Sequence, residues 1–466
     1  MTTMDKNNLT KSEVYSNKLR WFMLILISLV ISVNYYVYDA MSAIKSVMQQ
    51  ELGLSSIDYG LIVSFYSFPN TFLLMSIFGG IILDKWGIRR TGFLFVLFCA
   101  LGSLLTAYGA SSFYNDGGLD YVFFNSFMSS YSPELKMMIL GRLLFGLGAE
   151  TSIIVANKII VKWFKGKEMA FAFAVFLAIA RLGTAAALMM SPVLVSHESG
   201  WTTALWVAAI LMITGLLLFI IYMAFDKKFD DKLEKVRLLS PEEEFKLQDV
   251  LNLFTNKAFI YICLLCVTFY SAVFPFQAYC PDLLHNKFGL SISLSGTLSS
   301  IIIWGTIVFT PLFGIFVDKK GKRATLMIYG SVLLIAVHLI LSLTNLTPYV
   351  PMVILGIAFS LVPAALWPAV PYIVKESMIG TAYGVMASIQ NLGLFAFPIL
   401  AGYILDESNS SILPSILKGE AVYDYSWTII MFAGLGFVGL LFAILLKRQD
   451  KIDNLNLEKP EINSNN

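Results

Sequence analysis

Twelve stretches of this chain are long and apolar enough to cross a lipid bilayer, and that property limits what it can fold into more than any other. A helix needs about 20 mostly apolar residues to span the hydrocarbon core. Such stretches fall at 21–47, 57–83, 90–109, 136–162, 168–195, 201–225, 257–284, 291–317, 323–344, 349–374, 379–405 and 425–446. They are numbered here as spans 1 to 12. Hydrophobic residues make up 57% of the chain and charged residues 14%, whereas a soluble domain has about 45–50% and about 25%. A water-soluble core of this length cannot hide that excess, so lipid has to be the solvent. The expected fold class is an all-α membrane protein with twelve transmembrane helices.

Basic residues orient the spans. With the N-terminus inside, 26 of the 33 Lys and Arg fall in cytoplasmic segments. Four (Lys45, Lys136, Lys287 and Lys418) fall on the outer side, and Arg142, Lys158 and Arg181 lie within spans. This bias predicts that both termini are cytoplasmic. The first twenty residues have no apolar core of a signal peptide, so span 1 is expected to act as its own insertion signal. Cys99, Cys263, Cys266 and Cys280 form no disulfide framework, and the C-x-x-C at 263–266 lies inside an apolar helix without further ligands. No catalytic constellation, metal set or phosphate-binding Gly-Lys-Ser/Thr loop stands out. The expectation is a chain that is not an enzyme, needs no cofactor and binds no nucleic acid.

An internal repeat divides the chain. Gly80-x-x-x-Asp84-Lys85-x-Gly87-x-Arg89-Arg90 recurs as Gly314-x-x-x-Asp318-Lys319-x-Gly321-x-Arg323, an offset of 234 residues. Gly53-Leu54-Ser55 with Gly60 recurs as Gly289-Leu290-Ser291 with Gly296, an offset of 236. Two matches at nearly one offset indicate a duplicated six-helix unit. The expected domains are a six-helix bundle over 1–225, a cytoplasmic linker over 226–256, and a second six-helix bundle with a polar tail over 257–466. In the linker, Ser240-Pro241-Glu242-Glu243 reads as a capping box, and Leu247, Val250, Leu251 and Phe254 follow on one face. That pattern predicts a short amphipathic helix at the membrane surface. The tails, 1–18 and 448–466, read as disordered.

Two charges lie deep in the membrane. Glu150 falls near the middle of span 4 and Arg181 near the middle of span 5. Each costs about 2.5–3.5 kcal/mol at bilayer centre on insertion scales, so such residues face a bundle interior or a wet cavity. Two readings stay open: a salt bridge that orients two helices, or a cavity that binds opposite poles of a zwitterion. Tyr35 and Tyr38 on span 1, Tyr270 on span 7, Trp367 on span 10, and Gln390 with Asn391 on span 11 are further candidates for such a lining. Unpaired amides in lipid are costly, which favours the last two. His338 on span 9 reads as an interhelical hydrogen bond rather than a proton relay. Asp39 and Lys45, near the outer end of span 1, fit either an outer gate or the membrane interface.

The Gly80–Arg90 pattern between spans 2 and 3, echoed between spans 8 and 9, resembles the signature loop of the major facilitator superfamily. Arg142-x-x-x-Gly146-x-Gly148 resembles the family's second motif. The resemblance implies two pseudo-symmetric six-helix bundles that rock about a central site. It also implies that the loop residues Gly80, Asp84, Gly87, Arg89, Arg90, Asp318 and Arg323 latch the cytoplasmic side. Helix 5 lacks the Gly-Pro-x-x-Gly-Gly of drug–proton antiporters, and helix 1 lacks the Glu-x-x-Glu-Arg of proton-coupled oligopeptide carriers.

Further segments are similar to the major facilitator superfamily domain-containing protein 1 group, whose lysosomal animal members are dipeptide uniporters. These are Asn34–Asp39, Gly141–Glu150, Trp163–Glu168, Ala180–Gly183, Leu366–Pro368, Gly380–Gly384 and Ser388–Leu394. This likeness implies a small zwitterionic peptide as substrate, with Glu150 at its amino terminus and Arg181 at its carboxylate. Two residues of extended chain span about 7 Å, so a Glu and an Arg at matching separation would act as a ruler for dipeptides. The expected activity is facilitated diffusion of dipeptides. The alternatives are proton-coupled symport of peptides or small organic anions, and a non-transporting scaffold or sensor. The expected location is a bacterial inner membrane, with a lysosomal membrane as alternative. The sequence is silent on an accessory subunit.

Overall fold

The computed structural model describes residues 17–164, 168–195, 200–233, 253–375 and 378–460. The predicted linker helix falls mostly on residues outside this set. Among the described residues there is no strand, and eleven helices are long and apolar enough to cross a membrane. The twelfth crossing is present but broken. Span 2 comprises Ser56–Ser64, Phe68–Phe72 and then Met75 onward, where it runs without a gap into span 3 as Met75–Gly109. The turn between spans 2 and 3 is made at Gly87, whose φ of 78° and ψ of 169° break the helix. Only glycine adopts such a conformation without strain. The repeat supplies the same device at Gly321, φ 68°, which ends span 8.

The other spans are Asn17–Asp39, Pro133–Phe164, Met169–Val195, Thr203–Leu233, Lys257–Phe288, Ile292–Lys320, Arg323–Leu343, Tyr349–Leu366, Ile379–Ser408 and Ser426–Asp453. Span 1 continues past a turn into Lys45–Leu52. Span 10 continues through a short 3-10 turn at Trp367–Ala369 to Ile373. An even number of crossings puts both chain ends on one side, called here the terminal face; the opposite side is the far face.

Packing follows the duplication. In the first bundle spans 3 and 4, 1 and 5, 1 and 6, and 3 and 6 pack together; in the second, spans 9 and 10, 7 and 11, 7 and 12, and 9 and 12 do the same. The bundles meet through span 2 on span 11 and through span 5 on span 8. These two contacts exchange under the repeat. The repeated glycines explain how close they are. A Cβ at Gly60 of span 2 would collide with the Pro398 carbonyl of span 11, and one at Gly296 of span 8 with the Leu188 carbonyl of span 5. Sequence marked these glycines as a pair, and the fold uses both to bring the bundles into backbone contact.

The tail departs from expectation. Residues 448–453 extend span 12, and 454–460 fold back over the loop between spans 8 and 9 instead of being disordered. Leu457 is fully buried. Lys322 and Arg323 donate backbone N–H groups to the carbonyls of Glu458 and Leu457, at 3.2 and 3.0 Å. The Glu458 carboxylate accepts from the Thr325 N–H at 2.9 Å and from its hydroxyl at 2.6 Å. A carboxylate thus caps the start of span 9, which has no cap of its own.

Overpacking a close helix contact costs about 1–3 kcal/mol, and here relief is available by parting the bundles. Gly296→Val should therefore raise maleimide labelling of an Ala278→Cys reporter several-fold. Gly434→Val, on a glycine with open space around it, should leave the rate unchanged.

Candidate functional site

Between the bundles lies a cavity of about 740 Å³. All eight residues singled out as candidate lining meet on its wall: Tyr35, Tyr38, Glu150, Arg181, Tyr270, Trp367, Gln390 and Asn391. Span 4 adds Ile153, Ile154 and Asn157, and span 11 adds Gly380, Tyr383 and Gly384. The latter three lie at the terminal-face end of span 11, so the cavity reaches from mid-membrane toward that face.

The two deep charges make no ion pair with each other among the described residues. Glu150 accepts one hydrogen bond, from the Tyr66 hydroxyl at 3.2 Å. Arg181 lies against aromatic rings from both bundles: Tyr35 at 5.2 Å, Phe359 at 5.4 Å and Phe274 at 6.0 Å. Ring faces stabilise a cation yet occupy none of its five N–H donors. The guanidinium is held in place with its hydrogen-bonding capacity intact. The salt-bridge reading of this pair does not match the geometry.

The aromatic wall is itself ordered. The Trp367 indole donates to the Tyr270 hydroxyl at 2.8 Å, and the Tyr383 hydroxyl donates to the Trp367 carbonyl at 3.0 Å. Tyr38 meets Tyr66 edge-on at 4.6 Å. Arg142 lies beneath these rings, fully buried, and donates to the carbonyls of Val37 and Tyr38 at 3.3 and 3.4 Å. It braces span 1 against span 4 and does not line the large cavity. Asn391 turns its amide N–H to the Ala387 carbonyl of its own helix.

At the far face the bundles are tied together. Lys45 and Asp282 form a buried ion pair of 2.7 Å between the end of span 1 and span 7. The ammonium sits among the rings of Tyr59, Tyr279, Tyr423 and Tyr425, and Asp282 also accepts from the Tyr425 hydroxyl. Asp39 accepts from Thr184 at 2.7 Å and from Gln277 of span 7 at 3.4 Å. Asp406 of span 11 caps the start of span 2 through the N–H groups of Ser56 and Ile57. Asp39 and Lys45 are therefore joints between bundles, not residues of the membrane interface.

At the terminal face, Asp84 pairs with Lys158 of span 4. Arg89 reaches Asp226 at 3.3 Å, which also accepts from Lys162 at 2.6 Å and Tyr222 at 2.9 Å. Gly80 and Gly87 have open space around them, and Arg90 and Asp318 are exposed. Arg323 is buried, stacked on Tyr372 and bonded to the Lys459 carbonyl at 3.0 Å. Tail and motif loop are one unit there.

Sequence reasoning missed Tyr66, Phe274, Phe359, Asp226 and Asp282. Tyr66 and the two phenylalanines sit in uniformly apolar runs, where nothing separates a cavity wall from a lipid face. Asp282 stood at the end of span 7, where an acidic residue reads as an ordinary boundary. His338 also differs from expectation: its Nδ1 bonds the Leu334 carbonyl of its own helix at 2.8 Å, and its ring packs edge-on against Phe276.

Two bundles of membrane-spanning helices that enclose a cavity bearing one acid, one cation and an aromatic wall define a solute transporter. The chain belongs to the Major Facilitator Superfamily, whose model matches residues 24–398 and again 278–463. It is 32% identical over 383 residues to the lysosomal dipeptide transporter MFSD1 of Bos taurus, covering 80% of this chain and 76% of that one. It is 31% identical to the Homo sapiens protein of the same name, covering 80% and 77%. It is also similar to the probable galactarate/D-glucarate transporter GudP of Bacillus subtilis (strain 168), at 24% identity over 93% and 94% of the two chains. Among solved structures, the fold matches a bacterial homolog of the human lysosomal transporter Spinster, with TM-score 0.68 and 16% identity over 94% and 99% of the chains. The nucleoside transporter NupG matches with TM-score 0.66 and 14% identity over 91% and 99%. The chain is thus a multi-pass membrane transporter and not an enzyme.

Breaking a buried ion pair by removing one partner costs about 3–5 kcal/mol, whereas apolar replacement of both is often neutral. Lys45→Met alone should markedly lower the thermal midpoint of the purified protein, and Lys45→Met with Asp282→Leu should recover most of the loss.

Proposed function

We propose that this protein carries dipeptides by alternating access, with Glu150 holding the peptide's amino group and Arg181 its carboxylate. The observation that carries the reading is the state of those two side chains. They share one cavity and stay unpaired with each other, Glu150 holding only the Tyr66 hydroxyl and Arg181 only ring faces. A zwitterion supplies both missing partners at once. The likeness to the MFSD1 dipeptide transporters supports a peptide over other zwitterions. The remaining lining is aromatic, aliphatic and amide, suited to a peptide backbone and varied side chains, with Tyr35, Tyr38, Tyr270, Trp367, Gln390 and Asn391 as its contacts.

The positive-inside bias supports an orientation with both termini in the cytoplasm, so that the cavity faces inward and the Lys45–Asp282 side is closed. On that reading the two bundles, 1–225 and 257–466, rock about the cavity and the linker 226–256 lies inside. Outward opening separates Lys45 from Asp282, and Asp84, Arg89 and Arg90 then help to close the inner side. A bacterial inner membrane is the proposed location, in keeping with the bacterial relative. Uniport is the mode this reading favours, because among the described residues the cavity wall carries one pair of opposite charges and no carboxylate besides Glu150.

Symport of small organic anions is the second reading, favoured by one observation: the 24% identical relative is a probable galactarate/D-glucarate transporter. There Arg181 takes the anion and Glu150 carries the proton.

A charge-assisted hydrogen bond contributes about 1.5–3 kcal/mol, or roughly 10- to 150-fold in affinity. In proteoliposomes with equal pH and voltage on both sides, the wild type should exchange labelled dipeptide, competed by dipeptides but not by free amino acids or tripeptides. Glu150→Gln and Arg181→Gln should each weaken half-saturation by that factor. Uptake that appears only with an imposed proton gradient, with exchange surviving in Glu150→Gln, would move the assignment to symport.

A further inference from the structure

The connection between spans 3 and 4, residues 110–132, is long for a helix–helix loop and is built from two short helical turns, Ser112–Asn115 and Tyr121–Asn125. Five of its apolar side chains point outward. Phe113, Leu119, Val122, Phe123 and Met128 are 69%, 75%, 81%, 63% and 62% exposed. A contiguous apolar patch of this kind on a folded protein marks a surface that something covers.

Several backbone carbonyls of the loop, in contrast, are gathered inward, while Asn115, Asp116, Asp120, Asn125 and Ser126 stay exposed beside the apolar side chains, the mixture that suits a headgroup boundary. Lys136, at the start of span 4, is buried and donates its ammonium to the carbonyls of Phe124 at 2.5 Å, Phe127 at 2.6 Å and Met128 at 3.3 Å. Phe124 N–H bonds the Asp120 carbonyl, and Tyr131 N–H the Met128 carbonyl. The Tyr108 hydroxyl takes the Leu119 carbonyl at 3.4 Å. Backbone satisfied from within and side chains presented outward is what entry into an apolar medium requires. From 110 to 132 the only charged residues are Asp116 and Asp120, so no basic group is available for anionic headgroups. The patch also continues an apolar surface already committed to lipid, where Leu101 of span 3 and Leu140 of span 4 are exposed.

We propose that residues 112–128 form an interfacial foot that lies in the leaflet at the far face, with Phe113, Val122 and Phe123 in the headgroup–acyl boundary. The occupant of the patch is lipid. Lys136 acts as the strut that holds the foot at that depth. This does not depend on what the cavity carries.

The test uses the full chain in neutral phosphatidylcholine liposomes with a nitroxide label at Phe123→Cys; the four native cysteines are buried. Labels at Leu101→Cys and Ser130→Cys serve as lipid and water references. The expected result is oxygen accessibility exceeding that of aqueous nickel chelate, close to the lipid reference. Chelate accessibility equal to that at position 130 overturns the proposal. Shielding from both agents also overturns it, because a protein surface then covers the patch. As a second measurement, Phe123→Trp should add fluorescence, over the eight native tryptophans, that lipids brominated near the headgroup quench. Quenching of the added signal by acrylamide alone would again exclude the lipid.

Discussion

A charge carried into a bilayer has to be answered by the protein, and the way each charge is answered separates scaffold from site in this molecule. Lys45 is answered by Asp282 and a ring of tyrosines. Arg142 is answered by two carbonyls and three aromatic faces. Lys136 gathers three carbonyls of its own loop. These groups fasten elements together. Glu150 has a single tyrosine hydroxyl and Arg181 has only ring faces. These two lightly answered charges, one of each sign, share one cavity.

The position of the remaining interactions follows from the same constraint. Bonds between the bundles, such as Tyr59 to the Ala278 carbonyl and Tyr279 to the Ser56 carbonyl, gather at the far face. They close one end of the space between the bundles and leave the cavity to reach the other. Bundles related by a pseudo-twofold meet through exchanged contacts, 2 on 11 and 5 on 8, so one contact can be relaxed at one face while the mirror set forms at the opposite one. Small residues make this workable. Gly60 and Gly296 allow backbones to touch without interlocked side chains.

Much of this was legible in the residues. Apolar length predicts the crossings, the repeated Gly-x-x-x-Asp loop predicts the two bundles, and Glu150 and Arg181 announce themselves by their cost in lipid. What was hidden shares a physical reason. In a membrane protein both lipid-facing and cavity-facing surfaces are apolar, so periodicity does not distinguish Tyr66 or Phe359 from a lipid contact. The break in span 2 at residues 65–67 and 73–74 carries no glycine and only one proline nearby. Around the break Phe65, Phe68 and Phe72 pack on Phe395 of span 11 and Tyr66 lines the cavity, while Leu73 and Leu74 are exposed. The folded tail was missed because its polarity reads as disorder, whereas its partners lie more than a hundred residues away.

The two copies of the motif loop show where local sequence stops being sufficient. Gly87 and Gly321 both have positive φ and turn the chain at the terminal face, so the motif does dictate the turn. Their surroundings differ completely. Gly87 has open space, and its neighbours Asp84 and Arg89 pair with Lys158 and Asp226 within the first bundle. A Cβ at Gly321 would strike the Lys459 carbonyl, because the tail lies directly on that turn and holds Arg323. The first loop is held by side-chain ion pairs, Asp84–Lys158 exposed on both sides and Arg89 half-exposed against a buried Asp226, while its twin is sealed by backbone hydrogen bonds. Exposed pairs are weak and re-form at little cost; buried backbone bonds are not given up so readily. The exposed Asp84–Lys158 pair therefore makes the first copy of the loop the more readily opened of the two.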